Sequence, residues 1–137
     1  LRSWEYLPGS GSFALDEGFA RLLGVNPSVP PNNWLDALFP EDRPAILDLF
    51  NACVANQRKG FEAQCRLRTA ASGYRWFQIW AEAVQHNDAG EVTRVIGLLQ
   101  DCSAEKLAAA ALANARRDAE QAARAKKAFL AAMPCSN

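Results

Sequence analysis

From residue 104 to residue 133 the chain has neither Gly nor Pro, and 14 of those 30 residues are Ala. Such a stretch has one ordered option, a continuous helix, because Ala is the best helix former and the two strongest breakers are missing. What precedes it has the opposite character: all 8 Gly fall at or before Gly97. The change comes at Asp101-Cys-Ser103, where Ser103 supplies a helix cap and Glu105 an acid in the first turn. Residues 1–103 thus read as a folded domain and residues 104–133 as a rod, roughly 45 Å long at about 1.5 Å per residue. A compact domain feeding a rigid rod suits the passing of a mechanical change rather than chemistry.

The 15 basic and 15 acidic residues cancel, so no global field points to nucleic acid or membrane. The domain carries 9 basic against 12 acidic residues and the rod 6 against 3. Imbalances of that size read as solvated faces, and no nucleic-acid partner is expected. No apolar run reaches the length of a membrane span, and no signal-peptide order opens the chain. A cytoplasmic location without direct membrane contact is expected, which leaves a membrane anchor elsewhere in a parent protein open. Cys53, Cys65, Cys102 and Cys135 are widely spaced and form no metal-ligand pairs, so no metal site is expected. Cys53 and Cys65 lie in apolar patterns and read as buried free thiols in a reducing compartment.

Along the domain, Trp4-Glu-Tyr-Leu7 and Ser12-Phe-Ala-Leu15 flank Pro8-Gly-Ser-Gly11, which predicts two short strands and a turn. Phe19, Leu22 and Leu23 follow at helical spacing and stop at Gly24, a suitable terminator. Residues 26–33, rich in Pro and Asn, predict a loop, and Trp34-Leu-Asp-Ala-Leu-Phe39 one or two helical turns. Glu41-Asp42-Arg43-Pro44 predicts a helix start, with acid at the cap and Pro in the first turn. Ile46, Leu49, Phe50, Cys53 and Val54 then repeat at three- and four-residue steps and bury one face.

Beyond residue 60 the period becomes two. Phe61, Ala63, Cys65 and Leu67 alternate with Glu62, Gln64, Arg66 and Arg68, a strand with one wet face. After Ala71-Ser72-Gly73, residues 74–84 carry Trp76 and Trp80 on one side and Phe77, Ile79 and Ala81 on the other. Beyond Asn87-Asp-Ala-Gly90, a third strand over residues 92–102 sets Val95 and Leu99 opposite Ile96 and Leu98. Strands apolar on both sides are covered on both sides. The helix of residues 46–54 fills one face of this antiparallel meander. The Trp face needs a second cover, from a partner chain or the chain's own terminal segment.

In the rod, a heptad reading puts Leu112, Ala119, Lys126 and Met133 at one seam position and Ala115, Ala122 and Phe129 at the other. Glu120 and Arg124 are ordered as a supporting pair four residues apart. The seam predicts a weak coiled coil assisted by the domain, hence a homodimer whose interface uses the sheet face of Trp76 and Trp80, the terminal helix with Leu112 and Phe129, or both. The alternative is a solitary Ala-rich helix formed by propensity.

No catalytic residues emerge. The single His, His86, sits beside a turn and reads as a surface residue rather than a haem ligand. Asn51-Ala-Cys53-Val lacks the Arg-Phe half of the flavin-binding Asn-Cys-Arg-Phe motif, so Cys53 reads as core. Glu41 and Asp42 read as helix capping rather than acid–base catalysts, and no Gly-rich phosphate loop is present. No cofactor is evident.

The ordered set Phe39-Pro-Glu-Asp-Arg43, Phe61-Glu-Ala-Gln-Cys-Arg-Leu67, Tyr74-Arg-Trp76, Asp88-Ala-Gly90 and Gly97-Leu-Leu-Gln-Asp101-Cys-Ser103 resembles a PAS domain of the third fold type, with its PAC region. The resemblance spans residues 1–103 and implies an α+β fold: an antiparallel sheet flanked by short helices, followed here by a long coiled-coil helix. It also implies a sensory module. Its apolar interior would be lined by Phe50, Cys53, Cys65, Leu67, Phe77 and Ile79, which either enclose an unknown small ligand or pack on one another. Asp101 matches the acid that in such domains ties the last strand to the domain body, which makes Asp101, Ser103, Arg66 and Arg75 the expected coupling residues. Arg66, Arg75 or a nearby backbone N–H is the expected partner of Asp101.

Ala125-Lys126, Phe129-Leu-Ala131 and Met133 resemble the run that leads into the phosphoacceptor helix of sensor histidine kinases, where Ser-His-Glu follows. Pro134 and Cys135 stand in those places. Residues 104–133 are therefore expected to be a signalling helix cut short before the phosphoacceptor His, either by truncation, with Pro134 to Asn137 a cloning remnant, which is the preferred reading, or as a natural fragment. The implied partner is the catalytic region of a parent kinase. Two rival readings are a dimerising spacer that senses nothing and the input module of a cyclic-dinucleotide enzyme.

Overall fold

The computed structural model describes residues 1–26 and 33–133. The tail at 134–137 lies outside them, as does almost all of the loop expected over 26–33. Two compact units are resolved, Leu1–Ser103 and a second that begins at Ala104.

In the first unit β1 (Arg2–Leu7) and β2 (Ser12–Leu15) form a hairpin. Its turn closes through Gly11, whose N–H donates to the Leu7 carbonyl at 2.8 Å. Next comes α1 (Glu17–Leu23), capped by Asp16, which accepts from the Phe19 N–H at 2.6 Å. It ends at Gly24, at φ 72°, a left-handed cap that favours Gly. A 3-10 turn (Trp34–Ala37) and α2 (Arg43–Val54) follow. Then β3 (Gly60–Thr69), β4 (Gly73–His86) and β5 (Val92–Asp101) make the meander. The sheet order is β2-β1-β5-β4-β3, so β5 is the middle strand of five. A bridge between Leu38 and Leu67 covers part of the outer edge of β3.

Period-two alternation assigns the faces as expected. Phe61, Cys65, Leu67, Phe77, Ile79, Val95 and Leu99 point inward and are buried. Phe19 and Ala20 of α1, Trp34 and Leu35 of the 3-10 turn, and Ile46, Phe50 and Cys53 of α2 close over them in one cluster. Each large side chain fully buried here stabilises the fold by about 1.5–3 kcal/mol. Trp4 lies opposite Gly97 in the β1–β5 register. A Cβ at Gly97 would stand 2.0 Å from the Trp4 ring, so the indole occupies the place a side chain would take.

One sequence expectation fails. Asp42 stands at the N-cap of α2 yet makes no side-chain bond to that helix. Its carboxylate turns to β3, accepting from the Arg66 backbone N–H at 2.8 Å, from Nε at 3.0 Å and from Nη2 at 2.9 Å. Charge-assisted paired hydrogen bonds outcompete a cap bond to a neutral amide.

The second unit is α3 (Ser103–Ala132), which starts at the last residue of the first.

Candidate functional site at the end of the central strand

Strand β5 ends at Asp101, and α3 starts two residues later. Asp101 is positioned by its register opposite Phe77, which sets Arg75 of β4 within reach. Arg75 Nε donates to Asp101 Oδ2 at 2.7 Å, and the Ser103 N–H donates to Asp101 Oδ1 at 2.8 Å. Ser103 in turn accepts on Oγ from the Trp76 N–H at 2.9 Å. The Cys102 N–H donates to the Trp76 carbonyl at 2.9 Å. Three successive residues at the root of α3 are thus tied to two successive residues of β4. Burial works against the charged Asp101, but the bonds from Arg75 and Ser103 outweigh it and hold the carboxyl below its ordinary range.

Of the two arginines expected as partners for Asp101, Arg75 fills the role. Arg66 is held elsewhere: it pairs with Trp76 in register, one strand further from β5, and belongs to Asp42. Its guanidinium lies 3.9 Å from the Phe39 ring centroid and 4.8 Å from that of Trp76. Hydrogen bonding from Arg66 lowers the Asp42 carboxyl well against the opposing effect of burial. Trp76 therefore touches both arrangements, through its ring on Arg66 and its backbone on Cys102 and Ser103. No pattern in the sequence pairs Asp42 with a residue 24 positions away.

Phe50, Cys53, Cys65, Leu67, Phe77 and Ile79, expected to line an interior, all lie in the single core cluster. Cys53 and Cys65 are free thiols, and burial pushes that of Cys65 up to about 12. Gln64 and Gln78 stay on the outer face, where Gln78 donates to Glu62 at 2.9 Å. His86 is exposed at the end of β4, 3.2 Å from Asn56. Among the described residues no cluster of His, Cys, Asp or Glu is arranged to hold a metal ion. No helix among them is long and apolar enough to cross a membrane.

The outer sheet face bears half-buried Trp76 and Trp80 beside Ile96 and Leu98, which are 40% and 42% exposed. Trp80, Ile96 and Leu98 help to line an open groove of about 830 Å³, with Glu5, Glu62, Glu82 and Arg94 around them. On α3 the expected interface residues Leu112 and Phe129 are exposed.

Comparison with solved structures finds this fold repeatedly. A sensory box histidine kinase/response regulator from Burkholderia thailandensis is 25% identical, at a TM-score of 0.70 over 88% of this chain and 90% of that one. The N-terminal domain of a diguanylate cyclase with PAS/PAC sensor from Marinobacter aquaeolei is 22% identical, at 0.65 over 77% and 97%. A domain of a light and redox sensing histidine kinase from Haloarcula marismortui is 24% identical, at 0.60 over 73% and 87%. No protein with a curated description matches the chain. The sequence model described as PAS fold matches residues 13–99, from the second strand of the hairpin to Leu99 near the end of β5, and the chain belongs to that family.

Proposed function

We propose that this chain is the sensory and dimerising PAS module of a sensor histidine kinase. It relays a change of ligand or packing through residues 101–103 into α3. The observation that carries the reading is the pair of ties at the root of that helix, Arg75 to Asp101 and Trp76 to Ser103. They fix the end of the central strand to its neighbour where the chain enters the helix. A shift of β4 against β5 then changes the angle at which α3 leaves. The run Phe129-Leu-Ala131 and Met133 supports a kinase as the parent protein. In a homodimer, the Trp80 side of the sheet and the seam carrying Leu112 and Phe129 supply the contact surfaces, since both leave large apolar side chains exposed or half-buried. A cytoplasmic location goes with this role.

The spacer reading has one observation in its favour: the six residues expected around a ligand pack into one core.

The test uses the full-length parent protein. Asp101→Ala is expected to change basal kinase activity or the response to stimulus, while the chain of residues 1–137 stays folded. Wild-type signalling by both Asp101→Ala and Asp101→Asn would overturn the relay. Sedimentation of the intact chain at micromolar concentration is expected to give a dimer, and a monomer alone would remove the dimerising part of the proposal.

A further inference from the structure

Arg66 on β3 and Trp76 on β4 stand directly opposite each other in the ladder. The Arg66 main chain faces out from the edge of the sheet. Its N–H donates to Asp42 Oδ2 at 2.8 Å, and its carbonyl accepts from the Phe39 N–H at 2.9 Å. The Trp76 main chain faces the other way, toward the end of β5. Its N–H donates to Ser103 Oγ at 2.9 Å, and its carbonyl accepts from the Cys102 N–H at 2.9 Å.

This is the non-hydrogen-bonded position of an antiparallel pair, where opposite residues turn their main chains apart and bring their side chains closest. The ladder bonds between the two strands run through the pairs on either side, Cys65 with Phe77 and Leu67 with Arg75. At Arg66 and Trp76, contact between the strands is made by side chain on side chain. The guanidinium centre lies 4.8 Å from the Trp76 ring centroid and 3.9 Å from that of Phe39. Asp42 keeps it there through Nε and Nη2, at 3.0 and 2.9 Å.

We propose that Trp76 is a positioning residue, through which the segment of residues 39–42 leading into α2 bears on Cys102 and Ser103. Its ring takes its place from Arg66, which that segment holds by side chain and main chain alike. Ring and main chain share one Cα, so a displaced ring strains the peptide groups on either side of it. Those two peptide groups are the ones that hold Ser103 and Cys102. Arg75, the preceding residue, lies on the opposite face of β4 by alternation, so its tie to Asp101 reaches the same junction by a separate route. Every residue in the path belongs to the first compact unit, so the inference stands whether or not α3 transmits a signal.

The experiment is native-state amide hydrogen exchange, read by nuclear magnetic resonance on the intact chain. Two amides report on the junction, those of residue 76 and Cys102. The amides of Trp80 and Leu98, paired further along the same two strands, serve as reference. Global unfolding exposes all four alike, so the comparison isolates a local effect. Arg66→Gln is expected to lower protection at the junction amides about two- to five-fold beyond the fall at the reference amides, the worth of a partly exposed cation–ring contact. In a Trp76→Leu background the same substitution is expected to produce no such excess, and Trp76→Phe, which keeps an aromatic face, is expected to restore it. If Arg66→Gln does not fold, Arg66→Lys is read against the same amides. Equal falls at all four amides would overturn the proposal. So would an excess that survives undiminished in Trp76→Leu, which would assign the coupling to the ladder, or one that is missing in Trp76→Phe.

Discussion

Asp42 grips Arg66 with both carboxylate oxygens, across 24 residues of sequence, and takes the Arg66 backbone N–H as well. Their side chains are only 16% and 28% exposed. The pair fastens the start of α2 to β3 and keeps the guanidinium close to the rings of Phe39 and Trp76. Asp42→Ala should cost about 2–3 kcal/mol, because it strands a partly buried guanidinium and a backbone N–H. Arg66→Lys keeps the charge but loses the two-pronged geometry and the ring contacts, and should destabilise less than Asp42→Ala. Urea unfolding with unchanged slope measures both. Losses under about 0.5 kcal/mol would show the pair to be incidental.

Acid should destabilise the domain in a predictable way. Asp16, Asp42 and Asp101 all have carboxyls held below their ordinary value of 3.8. As pH falls past that value, the unfolded chain takes up protons that the folded chain still refuses. Their contribution is complete at neutral pH, starts to fall near pH 4, and is lost as pH drops through the lowered values. Unfolding free energies from pH 7 to pH 3 should show this decline, and Asp42→Asn should make it shallower. An identical slope in wild type and variant would remove Asp42 from the account.

At the root of α3, Ser103 should matter more to stability than the ion pair beside it. The Arg75–Asp101 pair is partly exposed and should contribute about 1 kcal/mol or less. Ser103→Ala removes the acceptor of the Trp76 N–H and should cost about 1–2 kcal/mol. A double-mutant cycle on Arg75 and Asp101, set beside the single Ser103 variant, tests the ranking. Reversal of the order would mean that the charge pair anchors the helix.

Gly97→Ala should be among the most damaging small changes, at about 1–3 kcal/mol, because its methyl group would enter the Trp4 ring. The cause is specific, so the remedy is too. Trp4→Phe, harmful alone, should make Gly97→Ala less costly than it is in wild type. Strict additivity of the two would show that the clash relaxes by another route.

Much of the architecture was legible because it rests on local periods. The alternation from Phe61 to Leu67, the two-sided apolar pattern of β4 and β5, and the stripe from Ile46 to Cys53 each mark an element and its buried face. What escaped depends on contacts between distant segments. Asp42 carries the sequence marks of a cap, and only the β3 register brings a guanidinium close enough to capture it. Arg66 and Arg75 are equivalent in sequence, being basic residues on neighbouring strands. Strand order alone decides which of them faces Asp101. Trp4 and Trp34 lie in segments of four to six residues, too short for a period to tell an inward from an outward side chain. The Gly97 opposite Trp4 was the available clue, since a Gly within a strand often marks close approach.

The placement of β5 has a mechanical consequence. The strand that runs into α3 is the middle one of five, paired with β1 on one side and β4 on the other. A pull along that strand is borne by two ladders in shear, with many bonds sharing the load at once. Had the helix grown from an edge strand, the same pull would have been borne by a single ladder. The sheet is therefore stiff where β5 ends, and a pull along that strand is shared by both halves of the sheet before any strand is torn free.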